Sequence, residues 1–337
     1  MAKQTFDIYK LDFGDSPLHL SRGKLNTYAD SETLLHSDAL KSAIFVTALT
    51  LYGEQWAQHF HDFHVSSAMP YKGNRFFFPK PLHVDTLVTQ PQERKDVKGV
   101  RYVEQPVFEN ILRGSFQAAQ LTKHTGIKDF FTKTQTQRVQ IKYAFEEREE
   151  QGQKVDRDNL GDMDLNYNSV PFYIEKNYLP KDSGLFFIIQ TIYTEGSERG
   201  GFLKTLDGVL ALLGDNGIGL QRGLGNGHFS VKRETLTLDV PDNPTHHLNL
   251  SLYCPADAKE LQDLTLTDSF YQLVKRGGWI ASPISTYRKR TVYMFTEGSV
   301  FKTPTLPKGK VADLSPDVFK AHPVWRDGKG VFLIMKM

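Results

Sequence analysis

The chain has 337 residues, of which 39% are hydrophobic and 24% are charged, a composition typical of a globular protein with one large or two ordinary domains. Its 41 Lys and Arg against 39 Asp and Glu exclude a chain that is basic throughout, so any contact with nucleic acid must use a local patch. The single cysteine, Cys254, excludes an intrachain disulfide, and the absence of a long apolar run or an apolar leader favours a cytoplasmic protein without a membrane segment.

The first half of the chain alternates strand and helix patterns. TFDIYKLDF alternates as a strand, and HSDALKSAIFVTALTLYG predicts a helix with Ser37 or Asp38 as its N-cap and Gly53 at its end. NRFFFPKP and TQTQRVQIKYAFEE are further strand candidates, and RYVEQPVFENIL is a helix candidate whose start Pro106 restricts. The charged stretch Glu146–Asn159 is too poor in apolar residues to pack by itself, so we expect it to project from the free protein.

The second half reads more clearly. LFFIIQTIY predicts a strand, GGFLKTLDGVLALLG a helix, and HFSVKRETLTLDV and HLNLSLYCP two further strands. TDSFYQLVKRGG predicts a second helix, capped by Asp268 or Ser269, and KRTVYMFTEG a last strand. This β-α-β-β-α-β order is that of a ferredoxin-like fold, and the first half reads as a looser copy of it. We therefore predict an α+β protein of two ferredoxin-like domains, residues 1–180 and 181–337.

A glycine-rich stretch lies between the helix and the strand of the second half. It holds six glycines from Gly214 to Gly227, with Arg222 among them. Dinucleotide-binding and P-loop motifs run from a strand through glycines into a helix, whereas here a helix precedes the glycines, which argues against nucleotide binding. A flexible linker does not fit a short connection within one folded unit. Two interpretations stay open: a loop laid along a nucleic-acid strand, with Arg222 on a phosphate, and a glycine-rich bulge at a domain junction.

Three phrases in this order resemble the RAMP superfamily of CRISPR RNA-binding proteins. They are HSDALKSAIFVTAL from His36, LLGDNGIGLQRGLGNGHF from Leu212 and HPVWRDGKGVFL ending at Leu333, so the resemblance spans nearly the whole chain. The form of the glycine loop is similar to that of the subunit that caps the crRNA 5′-tag end of the type III-A (Csm) effector complex. Ala39 stands where that family usually has Thr.

The resemblance implies two RRM-like domains, no catalytic role in interference and no cofactor. It implies binding of the crRNA 5′ tag and contacts with the large polymerase-like subunit and the backbone subunit of the complex. It also implies that Glu146–Asn159 becomes a thumb-like hairpin against the guide RNA. We predict that RNA is contacted by the helix start and two loops, namely by His36, Ser37, Lys41, Lys72, Arg75, Gly217, Gly219, Arg222, Gly223, Gly225 and Gly227.

An enzyme is the main alternative. Some RAMP relatives are metal-free RNA endonucleases, and His36 could act as a general base in processing of crRNA. The sequence offers no identifiable nucleophile or second catalytic group, and Ser37 and Asp38 are explained as helix-start residues. We therefore predict no catalytic residues, and we expect His36 and Ser37 to bind phosphate at the helix N-terminus.

Two side-chain patterns admit a structural explanation as well as a functional one. HFHDFHV contains His59, His61 and His64, but neither a strand nor a helix places all three on one face, so we predict no metal site. YKGNRFFFPKP interleaves Lys72 and Arg75 with aromatic residues, which suits single-stranded RNA and equally suits a half-buried strand with a solvated edge.

YRKRTVY, which begins at Tyr287, has the same mixture of basic and aromatic residues. Its cations could bind RNA or could simply decorate the edge of a sheet.

Overall fold

The computed structural model describes residues 2–20, 31–88, 91–121, 125–127, 130–143, 167–194, 196–280 and 287–337. Every strand ladder within them is antiparallel, so the chain is a mixture of helices and antiparallel sheets, as the predicted α+β class requires. The predicted projection at Glu146–Asn159 lies outside these residues.

Seventeen strands are formed by the described residues. In chain order they are β1 Ala2–Asp12, β2 Phe63–Val65, β3 Met69–Lys72, β4 Arg75–Pro79, β5 Tyr102–Glu104, β6 Gly126–Ile127, β7 Thr132–Tyr143, β8 Tyr167–Tyr178, β9 Ser183–Thr191, β10 Ser230–Val240, β11 His246–Asn249, β12 Leu273–Arg276, β13 Val292–Phe295, β14 Val300–Phe301, β15 Lys310–Asp313, β16 Trp325–Gly328 and β17 Phe332–Met335.

Helices connect these strands in the same part of the chain. The α-helices are α1 Ser37–Tyr52, α2 Val84–Leu87, α3 Pro91–Gly99, α4 Gln105–Leu112, α5 Ser197–Asn216 and α6 Ala258–Asp263. The 3₁₀ turns are Glu54–His61, Ala118–Gln120, Arg222–Leu224 and Leu266–Asp268. Helix α1 ends at Gly53 as predicted, but its N-cap is His36, which caps with no side-chain hydrogen bond.

The main sheet has the strand order β10-β1-β9-β3-β4-β5-β6, and β2 also pairs with β9. Strand β1 lies between β9 and β10, so that Ile8 is opposite Ile188 on one side and Glu234 on the other. The predicted boundary between residues 1–180 and 181–337 therefore runs through one sheet rather than between two sheets. The division into two ferredoxin-like domains itself stays a prediction.

Both faces of the main sheet are covered, which explains why β1 and β9 carry apolar residues on both faces. On one face Tyr9, Leu11 and Phe187 join the buried side chains of α1 and α5. Helix α1 contributes the positions 40, 44 and 48, whose spacing of four residues keeps them on one side of a helix. On the other face, α4 and the sheet β14-β11-β17 bury the remaining apolar residues of these strands.

The second predicted helix of the second half, TDSFYQLVKRGG, is wrong. The segment forms the short turn Leu266–Asp268 and then strand β12, which pairs with β13. The side chains of β12 alternate in exposure as a strand requires, because Val274 packs inward and Arg276 reaches Asp38. The β-α-β-β-α-β order predicted for this half is therefore not formed by these segments, because strand β12 takes the place of the second helix.

Candidate functional site

Three chain segments meet at one end of the main sheet. Register places Ser230 of β10 beside Asp12 of β1, and Lys72 of β3 beside Ser183 of β9. Three connections therefore lie at the same ends of four neighbouring strands, which are spaced about 4.8 Å apart: the glycine-rich loop that leads into β10, the segment that follows β1, and the β3–β4 hairpin. We call this end of the strands the loop end of the main sheet.

The base of the glycine-rich loop packs against the chain's own backbone. Gly217, Gly219 and Gly227 all have positive φ, and a Cβ at each would lie within 3 Å of a carbonyl oxygen of this chain. Leu220 N–H donates to the His19 carbonyl at 2.9 Å, and Gly227 N–H donates to the Pro17 carbonyl at 2.9 Å. The close neighbour of Gly219 is the His19 carbonyl in the segment after β1, whereas Gly217 and Gly227 lie against the carbonyls of Asn226 and Ile218 in the loop itself.

The tip of the same loop is open. Arg222, Gly223, Leu224 and Gly225 are exposed, and a Cβ at Gly223 or Gly225 would meet no atom within 4 Å. The Arg222 guanidinium makes no hydrogen bond or ion pair with any described residue. The loop therefore combines a fixed base with an exposed cationic tip.

A cleft of about 410 Å³ lies beside the loop. Backbone and polar side chains of Ser16, His228 and Ser230 line it, together with Asp12 and Asp215. Ser16 ties its two walls together, because its hydroxyl donates to the Gly225 carbonyl at 2.9 Å and accepts from the His228 N–H at 3.0 Å. Phe13 and Phe229 also line the cleft, so its surface is partly polar and partly apolar.

The β3–β4 hairpin brings Lys72 and Arg75 opposite each other, and both are exposed. Arg75 donates from Nε and Nη2 to both carboxylate oxygens of Glu104, at 2.6 and 2.7 Å, and its guanidinium carbon lies 5.4 Å from the ring centre of Phe77. Lys72 makes no ion pair within the described part of the chain. Of these two predicted RNA contacts, Lys72 is the one that reaches solvent without a carboxylate partner.

A long two-stranded ribbon, β7 with β8, is joined to the loop end. Leu18 and Asn177 exchange both backbone hydrogen bonds, at 2.8 and 2.9 Å, which ties the ribbon to the segment that packs against the glycine loop. The ribbon strands flank residues 144–166, which contain the predicted thumb-like stretch.

The start of α1 is buried and faces residues far along the sequence. His36 Nδ1 lies 2.8 Å from Oε1 of Glu297, and the same carboxylate accepts from the Ser67 hydroxyl. The Ser37 hydroxyl accepts from the Leu252 N–H at 2.9 Å, and Ser37 is only 4% exposed. The predicted role of Ser37 in phosphate binding is therefore wrong, because its hydroxyl holds the chain near Leu252 instead.

Two further residues of the same helix form buried ion pairs. Asp38 accepts from Arg276 at 2.9 and 3.0 Å and from Arg326 at 2.5 Å, and the Lys41 ammonium lies 2.8 Å from Asp327. Lys41 is fully buried, and its ammonium also donates to a backbone carbonyl at 2.7 Å, so its predicted contact with RNA is wrong.

We call these pairs the helix-start cluster: His36, Asp38 and Lys41 on α1, and Glu297, Arg276, Arg326 and Asp327 opposite them. The cluster links two of the quoted motifs, since HSDALK supplies one side and WRDG supplies Arg326 and Asp327. Burial would raise the pKa of Asp38, but Arg326 and Arg276 lower it to about 2. Burial lowers the pKa of Lys41 more than Asp327 raises it. The charged groups of the cluster are therefore paired mainly with one another. Contacts inside the protein explain the HSDALK motif.

The pair of His36 and Glu297 should make stability depend on pH. Burial would lower the pKa of His36, but the charge and hydrogen bond of Glu297 raise it above 6.5, so its stabilising effect is complete below pH 6.5 and is lost as pH rises through the folded-state pKa. We expect the Glu297→Gln variant to lose roughly 1.5–3 kcal/mol of unfolding free energy at pH 6, and less at pH 9. Urea titrations of both proteins at pH 6, 7.5 and 9 measure this, and an equal loss at all three values would contradict it.

The three histidines of HFHDFHV do not come together. His59 is bonded to Asp62 at 2.6 Å, and burial lowers the pKa of His64 to about 4. Among the described residues no group of three His, Cys, Asp or Glu side chains is arranged to hold a metal ion. Over the same residues, no helix is long and apolar enough to cross a membrane.

Sequence reasoning missed most of the helix-start cluster. It named His36 and Lys41 as RNA contacts and Asp38 as a cap, and it assigned nothing to Arg276 and Asp327. The signal was present as complementary charges, Asp and Lys in one motif and Arg and Asp in the other. Nothing in the spacing shows that two segments almost 290 residues apart pair with each other.

Comparisons with known proteins agree with this architecture. The family model described as the CRISPR Csm4 C-terminal domain matches residues 242–335. The CRISPR system Cms protein Csm4 of Mycobacterium tuberculosis is 26% identical over 339 residues, covering 98% of this chain and 96% of that protein. The protein of the same name from Methanocaldococcus jannaschii is 25% identical over 337 residues, covering 90% and 86%.

Two solved structures share the fold over nearly the whole chain. A chain in the crystal structure of a Csm1–Csm4 cassette in complex with cA4 gives a TM-score of 0.61 at 18% identity, with 99% of both chains covered. A chain in the Csm3–Csm4 subcomplex of the type III-A CRISPR-Cas interference complex gives a TM-score of 0.60 at 18% identity, with 98% and 100% covered. Residues 242–335 thus match the Csm4 C-terminal domain, and over nearly its whole length the chain is similar in sequence to Csm4 proteins and shares the fold of chains solved in Csm1–Csm4 and Csm3–Csm4 complexes.

Proposed function

We propose that this protein is an RNA-binding structural subunit of a type III-A CRISPR effector complex. It holds the 5′ tag of the crRNA and bridges the large polymerase-like subunit and the backbone subunit. The bridging role is supported by relatives of the same fold that were solved with Csm1 in one case and with Csm3 in another. Its RNA-binding role is argued from the loop end of the main sheet.

The observation that carries the RNA assignment is the division of the glycine loop into a fixed base and an exposed tip. A loop already held in place by its own chain loses little conformational entropy when a ligand binds. Arg222 presents a planar guanidinium without a partner among the described residues, and this group is suited to bidentate contact with a phosphate. We therefore assign Arg222, Gly223 and Gly225 to direct RNA contact, whereas Gly217, Gly219 and Gly227 shape the loop.

The neighbouring elements extend this surface. Lys72 lies at the loop end of the main sheet as well and supplies a second cation for the phosphate backbone. Arg75 is held by Glu104, so its contact with RNA would require the exchange of one charged partner for another. The stretch Glu146–Asn159, for which the resemblance implies a thumb-like role, follows β7 and precedes β8 in the chain, and this ribbon is joined to the loop end through Leu18 and Asn177.

The endonuclease alternative is less well supported. A general base near neutral pH needs a free nitrogen with a pKa near the working pH and access to the substrate. His36 instead shares a hydrogen bond with the buried Glu297, which raises its pKa, so more of it already carries the proton near neutral pH and cannot accept another. We therefore propose a structural role for His36 in the helix-start cluster and no catalytic role for this chain.

Removing the cation at the loop tip tests the RNA assignment. We expect Arg222→Ala to weaken binding of a labelled RNA with the tag sequence by roughly tenfold, because one charged hydrogen-bonding group is lost. The slope of log affinity against log salt should become shallower by about 0.7, as expected for one phosphate contact with a single strand. Fluorescence anisotropy at several salt concentrations measures both quantities.

Lys320 provides the matched control for this experiment, because it is an exposed cation outside the loop end. The Lys320→Ala variant should bind with unchanged affinity and slope. If Arg222→Ala behaves like this control, the glycine-loop tip does not hold RNA. Co-purification of Arg222→Ala with the large and backbone subunits then reports separately on the bridging role.

A further inference from the structure

The segment from Ser269 to Thr296 has a charge pattern unlike the rest of the chain. It contains five basic residues and no acidic residue, although the whole protein carries a net charge of only +2. It also contains six aromatic residues. This segment includes β12 and β13, which pair as a two-stranded ribbon in the C-terminal part of the fold.

The ribbon has an inner and an outer face. Val274 and Met294 are opposite each other and pack into the protein, and Arg276 on the same face reaches Asp38. Cross-strand partners in an antiparallel pair share a face, so Lys275 and Tyr293 lie together on the outer face. Both are exposed, and Tyr293 has 62% of its surface accessible.

Apolar and aromatic groups continue this exposed surface along β12. Leu273 is two residues before Lys275 on the same face and is 54% exposed. Tyr271 is exposed as well and packs edge-on against Phe295 at 5.3 Å between ring centres. The outer face therefore offers flat rings and aliphatic surface next to a lysine.

A second pair of an aromatic ring and a cation lies beyond the end of β12 and the start of β13. Trp279 and Arg288 are joined as a β-bridge, and the Arg288 guanidinium carbon lies 5.2 Å from the centre of the Trp279 ring. Between this pair and β12, Gly277 and Thr291 are neighbours, because a Cβ at Gly277 would lie 2.9 Å from the Thr291 methyl group. A small residue thus separates the two sites that combine a ring with a cation.

Not all of the positive charge is available to a ligand. Arg276 is bound to Asp38, and Arg290 is paired with Asp317. Lys275 and Arg288 have no carboxylate partner among the described residues. The surface therefore presents two cations, each beside an aromatic ring, and no carboxylate from the segment itself.

We propose that the outer face of the β12–β13 ribbon, extended to Trp279 and Arg288, is a binding surface for single-stranded RNA that is additional to the loop end. Bases stack on Tyr293 and Trp279, and phosphates contact Lys275 and Arg288. Exposed rings beside cations are how sequence-tolerant single-strand binding is built, since every base has a face that can stack. The choice of RNA as the ligand class rests on the proposed function, whereas the surface itself is defined by the geometry of the ribbon.

The ribbon favours RNA over a protein partner for an electrostatic reason. Aromatic residues and arginine are also enriched at protein interfaces, but lysine is depleted there, so Lys275 distinguishes the two ligand classes. Here the polar groups that accompany the rings are cations, which match a chain of phosphates. A protein partner is the competing possibility, and the experiment below separates the two.

The test compares variants of the full chain for binding to a labelled 12-nucleotide single-stranded RNA without tag sequence. Tyr293→Ala should weaken binding roughly 5- to 100-fold, as expected for the loss of one stacked base, and Tyr293→Phe should retain binding within about twofold because its ring remains. Lys275→Gln and Arg288→Gln should each make the salt slope shallower by about 0.7. Tyr52→Ala, which removes a partly exposed tyrosine of α1, is the control and should bind as the unaltered protein does.

Combining these variants with Arg222→Ala separates this inference from the proposed function. If the Tyr293→Ala effect persists in the Arg222→Ala background, the ribbon is an independent RNA surface. If Arg222→Ala weakens RNA binding and Tyr293→Ala does not, the inference is wrong and the loop end stands. If only Tyr293→Ala weakens binding, the ribbon stands and the loop assignment fails. If Tyr293→Ala keeps RNA affinity but loses co-purification with the large or backbone subunit, the ribbon binds protein and the inference is overturned.

Discussion

The Asp38→Asn variant is expected to lose about 3–5 kcal/mol of unfolding free energy at neutral pH, a large part of the stability of a typical domain. Asp38 has no exposed surface and binds Arg276 and Arg326 together. Asparagine has nearly the same shape but no charge, so the two guanidinium groups would stay in place without a counter-ion. Chemical denaturation of both proteins measures the difference.

An exposed aspartate provides the control for this substitution. Asp268 pairs with Lys302 at 2.8 Å, and both side chains are more than half exposed. Asp268→Asn should therefore leave the unfolding free energy nearly unchanged. If Asp38→Asn is no more harmful than this control, the helix-start cluster contributes little to the folded state.

Acid should affect the cluster only at low pH. Because Arg326 and Arg276 lower the pKa of Asp38 from 3.8 to about 2, its contribution to stability is complete above pH 3.8 and is lost as the pH falls through 2.

Sequence reasoning did not find this role of Asp38. A carboxylate in the first turn of a helix reads as a capping residue, and its true partners are 238 and 288 positions away.

Apolar patterns predicted the regular elements well where burial decides their structure. Helices α1 and α5 and strands β1, β9 and β10 follow their apolar patterns closely. The segment TDSFYQLVKRGG failed because its apolar residues fit a helix as well as a strand. Pairing with β13 and the contact of Arg276 with Asp38 select the strand, and neither is local in sequence.

The glycine-rich loop illustrates a different limit of the sequence. A high density of glycine predicts that some backbone comes close, and carbonyl oxygens of this chain lie close to Gly217, Gly219 and Gly227. The sequence does not identify the approaching backbone, which is the loop itself at Gly217 and Gly227 and the segment after β1 at Gly219. Only the tip at Gly223 and Gly225 remains open for a ligand. The glycine-rich bulge therefore describes the base of the loop, and RNA contact stays a prediction for its tip.

Gly227→Ala is expected to destabilise the protein by roughly 3–5 kcal/mol, because two costs of about 1–3 kcal/mol combine at this position. The residue has a φ of +74°, which an L side chain rarely adopts, and an added Cβ would lie 1.9 Å from the Ile218 carbonyl oxygen. Relief of that clash would break the hydrogen bonds that Gly227 forms with Ile218 and Pro17, both 2.9 Å long.

Alanine substitutions at two other glycines of the same loop should give smaller losses of stability, so that the three variants form a graded series. Gly223 has open space around it and no positive φ, so Gly223→Ala should change stability by less than about 0.5 kcal/mol. Gly225 has open space but a φ of +83°, so Gly225→Ala should cost roughly 1–2 kcal/mol through backbone strain alone. Thermal and urea unfolding of the three variants should give the order Gly227, Gly225, Gly223 from most to least harmful. Equal losses at Gly227 and Gly223 would mean that the base of the loop is not held by its own chain, and the division of the loop into a fixed base and an RNA-contacting tip would then fail with it.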